Sequence, residues 1–167
     1  MVRLSALWRG GKSDGGVVVE RLYAEALLWS QGFHDEERYI ALLDELFLKD
    51  PSNELYLQLE ECSEAETLEL LARWAAEKKD FAADAFGTQL FAALEAAYAQ
   101  RTATYDDLEE FGRRCYQLWH FLPMQLMDNE PFLTLAYGDD PLDRGDEGGA
   151  RKLYEAAFAF YRQKRKE

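Results

Sequence analysis

Long apolar runs, cysteine and proline are scarce in this sequence. The first two shortages exclude classes of protein, and the third favours helices. No stretch approaches the roughly 18 consecutive apolar residues that a membrane-spanning helix needs. Cys62 and Cys115 are too few for a disulfide framework. Both lie in segments with apolar periodicity, so we expect buried thiols in a reducing compartment. Only four prolines occur, whereas alanine, leucine and glutamate, which lose little freedom on entering a helix, are abundant.

Motifs that carry catalysis or metal binding are also missing. The sequence has no H-E-x-x-H, no C-x-x-C and no G-x-S-x-G. We interpret His34 as a solvated residue at a helix start, and His120 as a partly buried member of an aromatic layer. Because neither histidine stands in a cluster of nucleophiles or metal ligands, we expect no enzyme activity, catalytic residue, cofactor or metal.

One short stretch imitates a phosphate-binding loop. ALWRGGKS at residues 6–13 fits a loosened form of that motif, with alanine in place of the first glycine. Such a loop joins a buried strand to a helix N-terminus, but few residues precede this one, and Asp14-Gly15-Gly16 is poor helix-starting sequence. We therefore predict that residues 1–16 form a flexible arm. They also lack the apolar core of a signal peptide, so we expect a cytoplasmic protein.

Apolar residues recur at helical spacing from Val17 onward, which predicts an all-α single domain over residues 17–167. Short connections favour a bundle of about six to eight helices. A short solenoid-like stacking of helix pairs is the alternative, although no fixed repeat is present. The predicted helices cover residues 17–31 with Gly32 as C-cap, 35–49, 54–61, 64–78 after a capping box of Ser63 and Glu66, 80–100, 105–122 after a Thr104 cap, 132–137 and 149–164.

The loop of residues 139–147, which begins at Asp139 and ends at Glu147, is dense in the oxygen ligands that Ca²⁺ prefers. Its register does not match a calcium loop, because Pro141 stands where an acid is needed and no glutamate stands at the twelfth position. We interpret it as a solvated loop whose acids cap the last helix.

The distribution of charge is the most informative feature. The formal net charge is -13. Residues 22–110 contain 21 acids and six bases, a local net charge of -15, whereas both ends of the chain are mildly basic. An acidic surface repels nucleic acid and anionic lipid and attracts basic proteins. The sequence therefore predicts a basic protein as partner, and neither nucleic acid nor a membrane. Solubility alone is the alternative reason for the charge.

Aromatic side chains among these acids are candidate anchors for a partner, which the charge would steer. Four of them lie off the apolar stripes: Phe33, Tyr56, Tyr105 and Tyr116. The candidate partner-binding residues are Phe33, Asp35, Glu36, Glu37, Tyr56, Glu60, Glu61, Tyr105, Asp106, Glu109 and Glu110.

In size, charge and helix content over residues 17–166, the sequence resembles the small, acidic, all-helical immunity proteins of bacterial toxin–antitoxin and contact-inhibition systems. This resemblance implies a non-catalytic inhibitor that blocks a basic toxin domain by binding it. It involves no motif, so it assigns no binding residue. Two alternatives stay open. One is a small-molecule-binding or enzymatic bundle with a cavity near Tyr116, Trp119 and His120, and the other is a self-associating adaptor.

Overall fold

A computed structural model describes residues 18–165, which fold into helices and contain no strand. The all-α prediction is therefore confirmed for this part of the chain. The predicted arm at residues 1–16, with its imitation of a phosphate-binding loop, lies outside the described residues. The helices are α1 (Val19–Ser30), α2 (Glu36–Lys49), α3 (Glu54–Leu59), α4 (Glu64–Ala76), α5 (Ala83–Arg101), α6 (Tyr105–Trp119), α7 (Thr134–Tyr137), a 3-10 helix (Asp140–Arg144) and α8 (Glu147–Arg165).

Capping residues end and start the helices where the sequence predicts. Gly32 follows α1 with a φ of +76°, a left-handed conformation that glycine adopts without a steric penalty. Ser63 and Glu66 form a reciprocal capping box at the start of α4. The Thr104 hydroxyl accepts a hydrogen bond of 3.1 Å from the backbone N–H of Asp107, which satisfies a free donor in the first turn of α6.

The segment between α6 and α8 is more ordered than predicted. A 3-10 helix occupies most of residues 139–147, where the sequence predicts only a loop. The last helix starts at Glu147, two residues before the predicted Gly149. Asp146 explains this start, because its Oδ1 accepts a 2.9 Å hydrogen bond from the backbone N–H of Gly149. An acid of this loop does cap the last helix.

α1 is the central element of the bundle. It packs against α2, α4, α5 and α6, and α5 in turn packs against α8. A solenoid repeat contacts only its neighbours in sequence, so the solenoid-like alternative is wrong. A single hydrophobic core contains residues from every helix from α1 to α8. No helix in the described part is long and apolar enough to cross a membrane.

A glycine allows the close packing of α5 on α8. A Cβ atom at Gly87 would lie 2.2 Å from the ring of Tyr161, so only glycine leaves room for that ring. The Tyr161 ring then stacks on Phe91, with 5.2 Å between the ring centroids. This contact helps to hold α8 against α5.

Candidate protein-binding groove

A groove lies between α2 and the C-terminal end of α3. Its volume is about 330 Å³, and we call it the acidic groove. Its lining combines apolar side chains from α1, α2 and α3 with three carboxylates. The lining residues are Trp29, Glu36, Tyr39, Ile40, Leu43, Asp44, Leu59, Glu60 and Cys62.

The apolar part of the acidic groove is rigidly supported. Trp29 stacks on Tyr39, with 5.2 Å between the ring centroids, and Tyr39 is only 4% exposed. Burial raises the pKa of Tyr39 to about 12. Ile40 on the next position of α2 is 43% exposed, which is unusual for isoleucine. The groove thus presents apolar surface to water beside its carboxylates.

A second depression adjoins the acidic groove on the α4 side. Cys62 lines both, so the two form one surface, which we call the acidic face. The lining residues of the second depression are Gln58, Glu61, Cys62, Glu66, Glu69, Leu70 and Arg73. The whole acidic face therefore carries six acids and one base.

Several charges of the acidic face have no counter-ion. Glu36, Glu61 and Glu69 form no ion pair with any residue between 18 and 165. Glu66 differs, because its carboxylate accepts the backbone N–H of Ser63 in the capping box. Unpaired carboxylates around an apolar surface attract cations without first breaking an existing ion pair.

Cys62 lies at the centre of the acidic face, and it is only half-buried. The prediction of a buried thiol is therefore wrong for Cys62, whereas Cys115 is fully buried as predicted. The Cys62 thiol donates to the carbonyl of Gln58 at 3.2 Å. Burial and the Glu66 carboxylate raise its pKa, so the thiol is protonated at neutral pH.

The structure brings three of the predicted acids into the acidic face. Glu36 and Glu60 line the groove, and Glu61 lines the second depression. Asp35 and Glu37 are exposed at the N-terminal end of α2, where Asp35 is the N-cap residue.

Two of the predicted aromatic anchors are core residues, so their prediction as surface anchors is wrong. Phe33 is 5% exposed and packs edge-to-face on Phe111, with 5.8 Å between the ring centroids. Tyr56 is 7% exposed and packs on Phe47 at 6.1 Å. Neither residue belongs to the apolar stripe of a long helix. Phe33 lies in the turn after α1 and Tyr56 lies on the short α3, and both elements place these side chains in the core.

The other predicted residues lie on α6 and line neither part of the acidic face. Tyr105 is half-buried, and its hydroxyl donates to the carbonyl of Leu142. Asp106 and Glu109 are exposed. Glu110 is bound by Arg113 and Arg114, which lower the pKa of its carboxyl to about 2. Its charge is therefore already neutralised on the protein.

Tyr116 and His120 form an exposed aromatic cluster with Trp119 on α6. The His120 ring lies 4.6 Å from that of Tyr116 and 5.3 Å from that of Trp119. His120 belongs to an aromatic layer as predicted, but it is exposed and not partly buried. Tyr116 is 44% exposed.

His34 is not the solvated residue that the sequence predicts. Its side chain is 15% exposed, and Nδ1 contacts the buried carboxylate of Glu25. Glu25 lies nine residues earlier, in the middle of α1, and it is buried. Nothing in the sequence around Glu25 indicates that burial.

Residues 139–147 do not converge on a common point. Within residues 18–165, no group of three or more histidine, cysteine, aspartate or glutamate side chains is placed to hold a metal ion. Asp139 is partly buried, and that burial, together with Asp140 and Asp143, raises the pKa of its carboxyl.

Sequence reasoning missed the apolar floor of the groove and the acids of α4. Ile40 gives the only local signal, because it is a large apolar residue off the inward stripe of α2. Glu66 and Glu69 look like ordinary exposed helix residues, and only the packing of α4 beside α3 brings them next to Glu61.

The molecule is thus an all-helical bundle with a negatively charged groove on one side. The chain matches no protein-family model, and no curated protein and no solved structure is significantly similar to it.

Proposed function

We propose that this protein is a non-catalytic protein-binding module, and that its acidic face binds a basic segment of a partner protein. One observation carries the proposal: exposed apolar surface at Ile40 lies in the acidic groove beside Glu36, and the adjoining depression adds Glu61 and Glu69. None of these three carboxylates has an ion-pair partner in the described chain. Such a surface can exclude water from an apolar contact while the surrounding charges select cationic side chains.

The expected occupant is an amphipathic segment rich in lysine or arginine. An apolar side chain of the segment would contact Ile40 and the groove floor. Lysine and arginine stems pack along apolar surface while their charged ends reach neighbouring carboxylates, here Glu36 and Glu61. The net charge of -13 adds a long-range attraction that raises the association rate at low salt.

Inhibition of a basic toxin domain, which the resemblance to immunity proteins implies, is a specific form of this function. Carboxylates that cover a cationic surface would block its access to an anionic substrate. The size, the acidic charge and the helical fold support this form, and a cytoplasmic location belongs to the same proposal.

The first test uses a synthetic helical peptide of leucine and lysine as the probe. We compare the triple variant Glu36→Gln/Glu61→Gln/Glu69→Gln with a control of equal net charge, Asp106→Asn/Glu109→Gln/Asp143→Asn. We expect the acidic-face variant to weaken binding about tenfold in fluorescence anisotropy, equivalent to ~1.4 kcal/mol, and the control to weaken it much less. Equal losses in both variants would show that net charge alone attracts the peptide.

Cys62 gives a second, local readout of the same binding. The chain has two cysteines, and Cys115 is fully buried, so an alkylating reagent modifies Cys62 first in the folded protein. We expect the peptide to slow alkylation of Cys62 at low salt. An unchanged alkylation rate at saturating peptide would place the peptide elsewhere and contradict the proposal.

A further inference from the structure

A cleft separate from the acidic face lies where α1, the start of α2 and α5 meet. It shares no lining residue with the acidic face. Its volume is about 350 Å³. Three alanines of α5 leave room in it, and the polar lining residues are Arg21, His34, Arg38, Thr88 and Gln89. A locally cationic cleft is unexpected on a chain with a net charge of -13.

His34 is held in this cleft by a buried carboxylate. Glu25 is 1% exposed, and its Oε2 contacts Nδ1 of His34. Its other oxygen, Oε1, accepts a 2.9 Å hydrogen bond from the side-chain amide of Gln89. Both oxygens of Glu25 are therefore occupied within the protein. Because Nδ1 is committed to Glu25, Nε2 is the nitrogen with which His34 can bind a ligand.

The two arginines of the cleft have no acidic partner in the described chain. Nε of Arg21 is buried and makes no hydrogen bond there, although a buried unsatisfied donor costs about 1–3 kcal/mol. Arg38 lines the same cleft and forms no ion pair with another described residue. The cleft therefore carries two guanidinium groups without a counter-ion among the described residues, and one donor of Arg21 is left without an acceptor.

We propose that this cleft binds the phosphoryl group of a small molecule. Arginine donors match the geometry of phosphate oxygens. Arg21 and Arg38 would supply the positive charge, and His34 and the Thr88 hydroxyl would contact further oxygens. A phosphoryl group fits this arrangement better than a carboxylate, because it offers three oxygens to donors that come from α1, the turn after α1, α2 and α5.

The test is a titration of the full-length protein with inorganic phosphate at constant ionic strength, followed by the NMR signals of the two histidine rings. We expect the His34 signals to shift saturably, with a dissociation constant on the order of 1 mM. His120 is the internal control, because it lies in the exposed aromatic cluster on α6. Parallel, non-saturating shifts of both rings would overturn the proposal.

Two variants connect that shift to the cleft. Arg38→Gln changes an exposed residue, so the fold is expected to survive, and phosphate binding should weaken about tenfold. Arg144→Gln is the matched control, because Arg144 is an exposed arginine outside the cleft, and it should leave binding unchanged. If Arg38→Gln has no effect, or if acetate shifts His34 as strongly as phosphate does, the phosphoryl assignment is wrong.

Discussion

Glu110 on α6 and Glu61 in the turn after α3 are both exposed carboxylates, but only Glu110 is paired with cations of the protein itself. Glu110 accepts hydrogen bonds from Arg113 and Arg114, three and four residues later on the same helix. Glu61 has no ion-pair partner within residues 18–165. A partner protein would have to displace two arginines to use Glu110, whereas Glu61 is available at once.

The pairing of Glu110 predicts a specific titration. We expect its carboxyl to titrate with a pKa of about 2 in the native protein and to move toward the ordinary value of 4.5 in Arg113→Gln. Because the folded pKa lies below the unfolded one, this carboxylate stabilises the fold above about pH 4.5, and that contribution disappears as the pH falls toward 2. The pair is solvent-exposed, so the loss of stability is small.

Carbon-13 NMR of the glutamate carboxyl groups measures this pKa, and the spectrum of Glu110→Gln assigns the signal. Lys152→Gln serves as the control, because it removes an exposed positive charge outside the pair and should leave the pKa of Glu110 unchanged. A pKa near 4.5 in the unmodified protein would contradict the ion-pair geometry.

At the scale of the helix, α5 starts without a capping side chain of its own. Ala82 is its N-cap residue and has no side chain able to accept a hydrogen bond. Glu20 of α1 replaces the cap, because its Oε2 accepts the backbone N–H of Ala82 at 2.9 Å. The same oxygen lies 3.2 Å from Nζ of Lys78, and Glu20 is 2% exposed. A buried carboxylate thus joins α1 to the connection between α4 and α5.

Removal of the lysine should weaken this connection. Lys78→Met keeps most of the side-chain volume but leaves the Glu20 carboxylate without its cation, so we expect a loss of about 1–3 kcal/mol in the free energy of unfolding. The neighbouring Lys79→Met changes an exposed lysine with no ion pair in the described chain and should cost less than about 0.5 kcal/mol. Urea denaturation measures both variants. Equal stability of the two variants would show that Lys78 contributes nothing at Glu20.

At the scale of the whole molecule, the net charge of -13 opposes compaction through self-repulsion. We expect the melting temperature to rise when NaCl is increased from about 10 mM to about 150 mM, because the Debye length falls from roughly 30 Å to 8 Å. A gain of about 1 kcal/mol corresponds to roughly 2–4 °C in a protein of this size. The triple variant Glu36→Gln/Glu61→Gln/Glu69→Gln, which carries less charge, should gain less. A melting temperature that falls with salt would mean that ion pairs outweigh the repulsion.

The fold could be predicted well because its signals are local in sequence. Apolar spacing indicates each long helix, and short motifs such as Ser63 with Glu66 mark the helix ends. The errors concern side chains whose surroundings come from distant parts of the chain. Phe33 becomes buried only because α6 brings Phe111 against it, and His34 is enclosed because it meets Glu25 of α1.

The sequence by itself determined the helical class and the approximate helix boundaries, because both depend on neighbours within a few turns. It also determined the excess of negative charge, because that depends on composition alone. Tertiary packing alone decided which acids are buried against distant partners, as Glu20 and Glu25 are, which acids line a groove with Ile40, and which arginines stand together in a cationic cleft. The physical reason is that burial and electrostatic pairing act through space, between side chains that can be more than 60 residues apart, as Glu25 and Gln89 are.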